Sequence, residues 1–140
     1  MVQDELDEFK RLVWDGIEGM LAPPAADKPR WVKLYKPFLV DARAGRQDFL
    51  FRNAPAVAFV AAERADDAGL AAQNMELVAA SLGLGALFNG YLCRAAEELP
   101  AVKAFLEAED KPLQICMLLG HPAVSYRRTA PRRAGDFVMK

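Results

Sequence analysis

The sequence predicts an α+β fold in which a small central β-sheet is flanked by helices. Ala56 to Ala62 and Leu113 to Leu119 are apolar at nearly every position, as in strands covered on both faces. Between them, Ala68 to Leu82 is alanine-rich and poor in charge, with helix signals at both ends. The 140 residues are 53% hydrophobic and 26% charged, with 9 Gly and 9 Pro, a balance suited to one ordinary core.

From the N-terminus, Asp4 to Leu21 places Leu6, Phe9, Val13, Ile17 and Met20 on one helical face, with Asp7, Lys10, Arg11 and Glu18 largely off it. Pro23-Pro24 ends that helix, and a loop runs to about Arg30. Trp31, Leu34, Tyr35, Phe38 and Leu39 again keep helical spacing, but Pro37 inside the window predicts a kink or two short pieces. Gly45 is a stop signal, and Phe49-Leu50-Phe51 is a short apolar cluster before the turn signal Asn53-Ala54-Pro55.

The strand that follows, Ala56 to Ala62, reads as central because it is continuously apolar. Asp66 and Asp67 are N-cap candidates for a helix over 68–82. Glu76 is that helix's only ionisable side chain, so it should be buried nearly all round, in the core or in a subunit interface. Gly83-Leu84-Gly85 closes it, and Ala86-Leu87-Phe88 reads as a short strand ending at Asn89-Gly90, where the chain bends. Leu99, Val102, Phe105 and Leu106 mark another short helix with Pro100 in its first turn, and Gly120-His121-Pro122 stops the last strand. Arg127, Arg128, Arg132 and Arg133 cluster around Pro131 in the tail.

Lys and Arg total 18 against 19 Asp and Glu, a net charge of −1, so no global field draws the chain to nucleic acid or an anionic membrane. The N-terminus has no apolar signal core, and no run approaches the roughly 18 apolar residues of a membrane span, which makes a cytoplasmic protein the expectation. Cys93 and Cys116 have neither metal-type spacing nor the density of a disulfide framework, and read as reduced, buried, small apolar side chains. His121 is the single histidine and has no visible partner, so no catalytic or metal role is assigned to it. Met75 and Met117 read as core packing, and Trp14 and Trp31 as anchors of the N-terminal helices.

Ala71-Ala72-Gln73-Asn74-Met75-Glu76-Leu77, then Ala80-Ser81-Leu82-Gly83-Leu84-Gly85, resemble the C-terminal half of the nitroreductase family. Asn53-Ala54-Pro55 before the buried strand, Leu119-Gly120-His121-Pro122 after the last one, and Tyr126 to Arg133 in the tail extend the resemblance over residues 55–140. Where family members commonly have tyrosine, this chain has His121. The arginine- and serine-rich segment with which full members begin, and their Asn-Gln-Pro-type loop, are not found here. The expected architecture is therefore nitroreductase-like and truncated at the N-terminus, with an N-terminal helical region over 1–50 and a core over 51–140 in a single domain overall.

The resemblance implies an FMN-dependent oxidoreductase that takes hydride from NAD(P)H. It would reduce nitroaromatic or quinone-like acceptors by a ping-pong route, with no side-chain acid or base. It implies a homodimer formed through helix 68–82, in which Gln73 and Asn74 find structural partners. Asn89 and Gly90 are implied at the flavin ring, since glycine lets a planar ring approach the main chain closely. Read from spacing alone, Gly90 only makes the bend. Arg132 and then Arg133 are implied at the FMN phosphate, which guanidinium groups bind bidentately, whereas an arginine run at a C-terminus is otherwise a solvated tail. Two other readings stay open: a non-enzymatic dimerisation or interaction module that has lost FMN, and half an enzyme completed by another polypeptide. Two isolated cysteines cannot house an iron–sulfur cluster.

Overall fold

The computed structural model describes residues 3–22 and 29–124. Helix α1 spans Gln3–Leu21 and buries Leu6, Phe9, Val13 and Ile17 completely, the face expected from their spacing. Two short helices follow, α2 over Arg30–Lys33 and α3 over Lys36–Arg43. Pro37 lies in the first turn of α3, where its missing N–H costs nothing, and this divides the segment into two pieces. Arg43 donates to Asp15 at 2.5 Å and Glu18 at 2.7 Å, tying α3 to the outer face of α1. Leu50 and Phe51 then enter the core, and Arg52 and Asn53 turn the chain with φ of 50° and 56°.

The remaining elements are β1 (Ala56–Ala61), α4 (Ala65–Ser81), β2 (Gly85–Phe88), α5 (Gly90–Glu97), α6 (Pro100–Phe105) and β3 (Leu113–Gly120). The three strands form one antiparallel sheet in the order β1-β3-β2. Phe59 pairs with Cys116, and Leu87 with Leu118. This is the α+β fold with a small sheet flanked by helices that the apolar runs predict.

Two expectations need correction, and a third is narrowed. First, β1 is not the central strand. It forms an edge, with Val57 its only buried residue, whereas β3 lies in the middle and buries Leu113, Cys116, Met117 and Leu118. Continuous apolarity signals partial cover on both faces, and it does not report a strand's position in the sheet. Second, α4 begins at Ala65, three residues before the expected start. Arg64 is its N-cap residue and makes no side-chain cap, while Asp66 and Asp67 occupy the first turn. From there they face the positive dipole end and pair with Arg64, and the Asp66 carboxylate also accepts from first-turn backbone N–H groups.

Third, α4 is expected to be buried in the core or in a subunit interface, and the protomer by itself does not bury it all round. Only Ala68, Ala72 and Ala79 are buried, while Leu70, Leu77, Val78 and Leu82 are each more than half exposed. Gln73 and Asn74 also face outward, and Gln73 donates to Glu76 at 3.3 Å. The end of α4 follows the glycine signal. Gly83 takes φ +73°, Leu84 N–H donates to Ala79 at 2.9 Å, and Gly83 N–H donates to Ala80 at 3.0 Å, a Schellman motif.

Helix α5 was not expected, because Asn89-Gly90 reads as a turn. The asparagine is instead the N-cap of a helix that buries Leu92, Cys93, Ala95 and Ala96 against α1, α6 and β3. Met117 is fully buried as expected, whereas Met75 is half-buried. Trp14 packs in the core beside Val13 and Ile17. No helix among the described residues is long and apolar enough to cross a membrane.

Candidate functional site: an aromatic cleft at the β2–α5 corner

Where β2 passes into α5, Asn89 holds the corner with every polar group it has. Its backbone N–H donates to Cys116 at 2.8 Å, extending the β2–β3 ladder by one residue. Its side-chain oxygen accepts from Leu92 N–H at 2.9 Å, and its amide nitrogen donates to the Leu50 carbonyl at 2.5 Å. Its carbonyl accepts from Cys93 N–H at 3.0 Å. Asn89 is the one buried polar side chain among the described residues, and each of its polar groups makes a bond at the corner.

Gly90 follows as the first residue of α5. A Cβ built on it meets nothing within 4 Å, so the backbone here faces open space. The first amides of an α-helix have no intrahelical acceptor, so the Gly90 and Tyr91 N–H groups point out of the helix end beside that space.

The space is a cleft of about 440 Å³. Leu87, Phe88, Asn89, Gly90 and Tyr91 form one wall, and Trp31, Leu34, Tyr35 and Phe49 the other. The Tyr35 hydroxyl donates to the Tyr91 carbonyl at 2.7 Å and so ties the α2–α3 junction to α5. Burial pushes the Tyr35 phenol up to about 12, against the opposing pull of the Arg94 charge. Phe38 stacks on Phe49 with centroids 4.0 Å apart and planes 11° from parallel, and Tyr91 meets both rings edge-on.

Two cations complete the lining. The Arg94 guanidinium lies over the Trp31 ring at 4.4 Å and that of Arg52 over Phe49 at 4.6 Å. The cleft is thus flat-walled, largely apolar and cationic, with no carboxylate among the described residues of its lining.

Of the site residues expected from sequence, Asn89 and Gly90 lie together in this wall, while Arg132 and Arg133 fall outside the described residues. Sequence reading missed Trp31 as a cleft wall, as well as Tyr35, Phe49, Arg52, Tyr91 and Arg94. The signal for Trp31, Tyr35, Phe49 and Arg52 was the aromatic density of residues 31–51 and the arginine just before Asn53-Ala54-Pro55, and Tyr91 and Arg94 carry no such signal.

A second, more open depression of about 710 Å³ lies at the end of the sheet between Pro55, Gly85 and Gly120, with His121 exposed on its rim. Cys93 and Cys116 are both free and buried, as expected, and the Cys93 thiol donates to the Leu113 carbonyl at 3.4 Å. Among the described residues no group of three or more His, Cys, Asp or Glu side chains is placed to hold a metal ion.

Comparison with known proteins bears on the whole arrangement. The chain is similar in structure to an FMN-bound nitroreductase from Bacteroides fragilis NCTC 9343, with a TM-score of 0.66 and 19% identity, over 99% of this chain and 71% of that one. A nitroreductase from B. subtilis overlaps 93% of this chain and 62% of its own length at 18% identity, with a TM-score of 0.36. No curated protein matches the chain. At these identities the Bacteroides structure establishes the fold.

The family itself is established by the sequence match, for which the nitroreductase family model aligns with residues 4–121. That match reaches back through α1, α2 and α3, well beyond the motifs of residues 55–140, and stops at His121, before the arginine tail. Since it takes in all three strands of the sheet and the β2–α5 corner, the chain belongs to the nitroreductase family.

Proposed function

We propose that the chain is a flavin oxidoreductase that holds FMN in the cleft at the β2–α5 corner. The observation that carries this reading is Gly90. It is a residue without a side chain, at the start of a helix, facing open space between aromatic and aliphatic walls. A planar heterocycle needs such a slot, in which the main chain can be approached closely and backbone donors are at hand. The FMN found in the similar Bacteroides structure supports the same reading.

In this reading the Gly90 N–H is the donor toward the ring, because the Asn89 N–H is already engaged by Cys116. Asn89 acts as a positioning residue that fixes the corner, and its side chain forms part of the wall. Arg132 and Arg133 are proposed for the phosphate on family position. Bound there, FMN would supply the redox chemistry for a ping-pong transfer of electrons from NAD(P)H to a nitroaromatic or quinone-like acceptor. The residues of the chain orient the ring, exclude water along the aromatic wall and tune the ring through the Gly90 amide.

The exposed apolar face of α4 supports a homodimer. Leu70, Leu77 and Val78 on α4 and its C-cap Leu82 present large apolar side chains that the described residues leave more than half exposed. The same face would serve a flavin-free dimerisation module, so the cofactor decides between the two readings.

The test is to saturate the purified protein with FMN, desalt it and record its visible spectrum. A retained flavin band near ~450 nm is expected, and a colourless protein that still dimerises leaves the flavin-free module standing. Replacing both Arg132 and Arg133 by alanine should weaken FMN retention and leave the dimer intact. Unchanged retention removes them from the phosphate site.

A further inference from the structure

The cleft carries more positive charge than a site for a neutral ring requires. Arg43, Arg46 and Arg64 are each engaged by a carboxylate at short range. Arg52 and Arg94 make no ion pair among the described residues. Each instead lies over an aromatic ring, at 4.6 Å and 4.4 Å, in the lining of one cleft. A stacked guanidinium keeps its in-plane N–H donors free at the edge, which is the geometry for bidentate contact with a carboxylate or phosphate.

Arg52 is also held in an uncommon backbone state. Its φ is 50°, in the left-handed region where glycine and asparagine are favoured and where a long side chain is strained. Glycine at 52 would make the same turn with less strain, so this turn does not need an arginine. The open N-terminus of α5 adds positive potential to the same cleft.

Building on the flavin-site reading, we propose that Arg52 and Arg94 form an anion-reading pair. The pair makes the cleft select planar aromatic ligands that carry a phosphate or carboxylate over their neutral counterparts. Two sources present this chemistry: the phosphate of the flavin itself, and the acidic group of an aromatic electron acceptor. Either lays its ring between the walls and directs its anion to the guanidinium edges.

The test compares matched anionic and neutral pairs in the wild type, Arg52→Gly and Arg94→Gln. In the first arm, FMN and riboflavin are titrated by flavin fluorescence. In the second, 4-nitrobenzoate and nitrobenzene are titrated by quenching of tryptophan emission, with Trp31 in the cleft and Trp14 buried away from it. Wild type should prefer the anion in at least one arm by roughly tenfold, the scale of one charge-assisted contact. Both variants should lose most of that preference, with affinity for the anionic partner falling several-fold further than affinity for the neutral one.

The arm that responds identifies the source. Arg52→Gly also removes the left-handed strain, so it should fold at least as well as wild type, and loss of preference in that variant cannot be laid to unfolding. Equal affinity for anion and neutral partner in both arms, or a preference that survives both substitutions, overturns the proposal. If neither flavin binds at all, the flavin-site reading is what fails, and the nitrobenzoate arm still decides the anion-reading pair.

Discussion

At the scale of single residues, Asn89 does several jobs at once. It caps α5, closes the β2–β3 ladder and holds the Leu50 carbonyl from a buried position. Asn89→Ala removes an N-cap worth about 1 kcal/mol and orphans a buried carbonyl worth about 1–3 kcal/mol more. We expect a loss of roughly 2–4 kcal/mol in urea denaturation. A change under about 0.5 kcal/mol, the scale of an ordinary surface substitution, would mean that the corner is held by something else.

The buried thiols make a second residue-scale prediction. Burial, and to a lesser degree the charge of Glu97, pushes Cys93 up to about 11, and burial raises Cys116 further. The folded protein therefore keeps protons that the unfolded chain releases above its ordinary thiol value of 9.0. Their contribution to stability is complete below about pH 9 and declines as pH rises through the folded values. Tyr35, pushed up to about 12, adds its own decline above pH 10. Urea midpoints should fall between pH 9 and 10 in the wild type and fall less in Cys93→Ala, Cys116→Ala protein. Equal slopes in the two proteins would refute the assignment.

At the scale of elements, two glycines of α1 should respond in opposite directions to alanine. A Cβ at Gly16 meets Leu99 atoms at 2.7 Å, where α1 crosses the start of α6, so overpacking should outweigh the helix-propensity gain by about 1 kcal/mol. A Cβ at Gly19 meets nothing within 4 Å, so Gly19→Ala should stabilise by about 0.5–1 kcal/mol. Thermal melts of the two variants on either side of the wild type would support the α1–α6 contact, and two shifts of the same sign would contradict it.

Elements were legible where a local rule decides them. The one-sided stripe of α1, the Pro37 break between α2 and α3, and the Gly83 cap of α4 all follow from neighbours in sequence. Helix α5 was not, because asparagine followed by glycine suits a tight turn as well as an N-cap, and only the Leu50 and Cys116 carbonyls, distant in sequence, decide between them. The edge position of β1 was hidden for the same reason. Its apolar run is compatible with any place in the sheet until pairing with β3 is known.

At the scale of the whole molecule, the candidate site is assembled from three separate stretches: α2 with the start of α3, the turn before β1, and the β2–α5 corner. Gly90 was legible through a family motif. Arg52, Arg94 and Tyr35 were not, since only the fold brings them to one cleft. The sequence leaves α4 open between its own core and a subunit interface, because a helix poor in charge looks the same whether it faces its own core or a second subunit, and the protomer covers only the side of Ala68, Ala72 and Ala79.

If α4 forms the dimer face, Leu77→Glu should convert the protein to monomers in sedimentation velocity with an unchanged far-UV spectrum, because Leu77 is 61% exposed in the protomer. A variant that stays dimeric would move the interface elsewhere.

The central claim is that flavin lies against the backbone of Gly90, and the most direct measurement is FMN stoichiometry after desalting in wild type and Gly90→Leu. The substitution adds a side chain into open space, so the fold should be retained. The account predicts bound FMN in the wild type and its loss, by tenfold or more in affinity, in a Gly90→Leu protein with an unchanged melt. Gly90→Leu protein that retains FMN as the wild type does would contradict it.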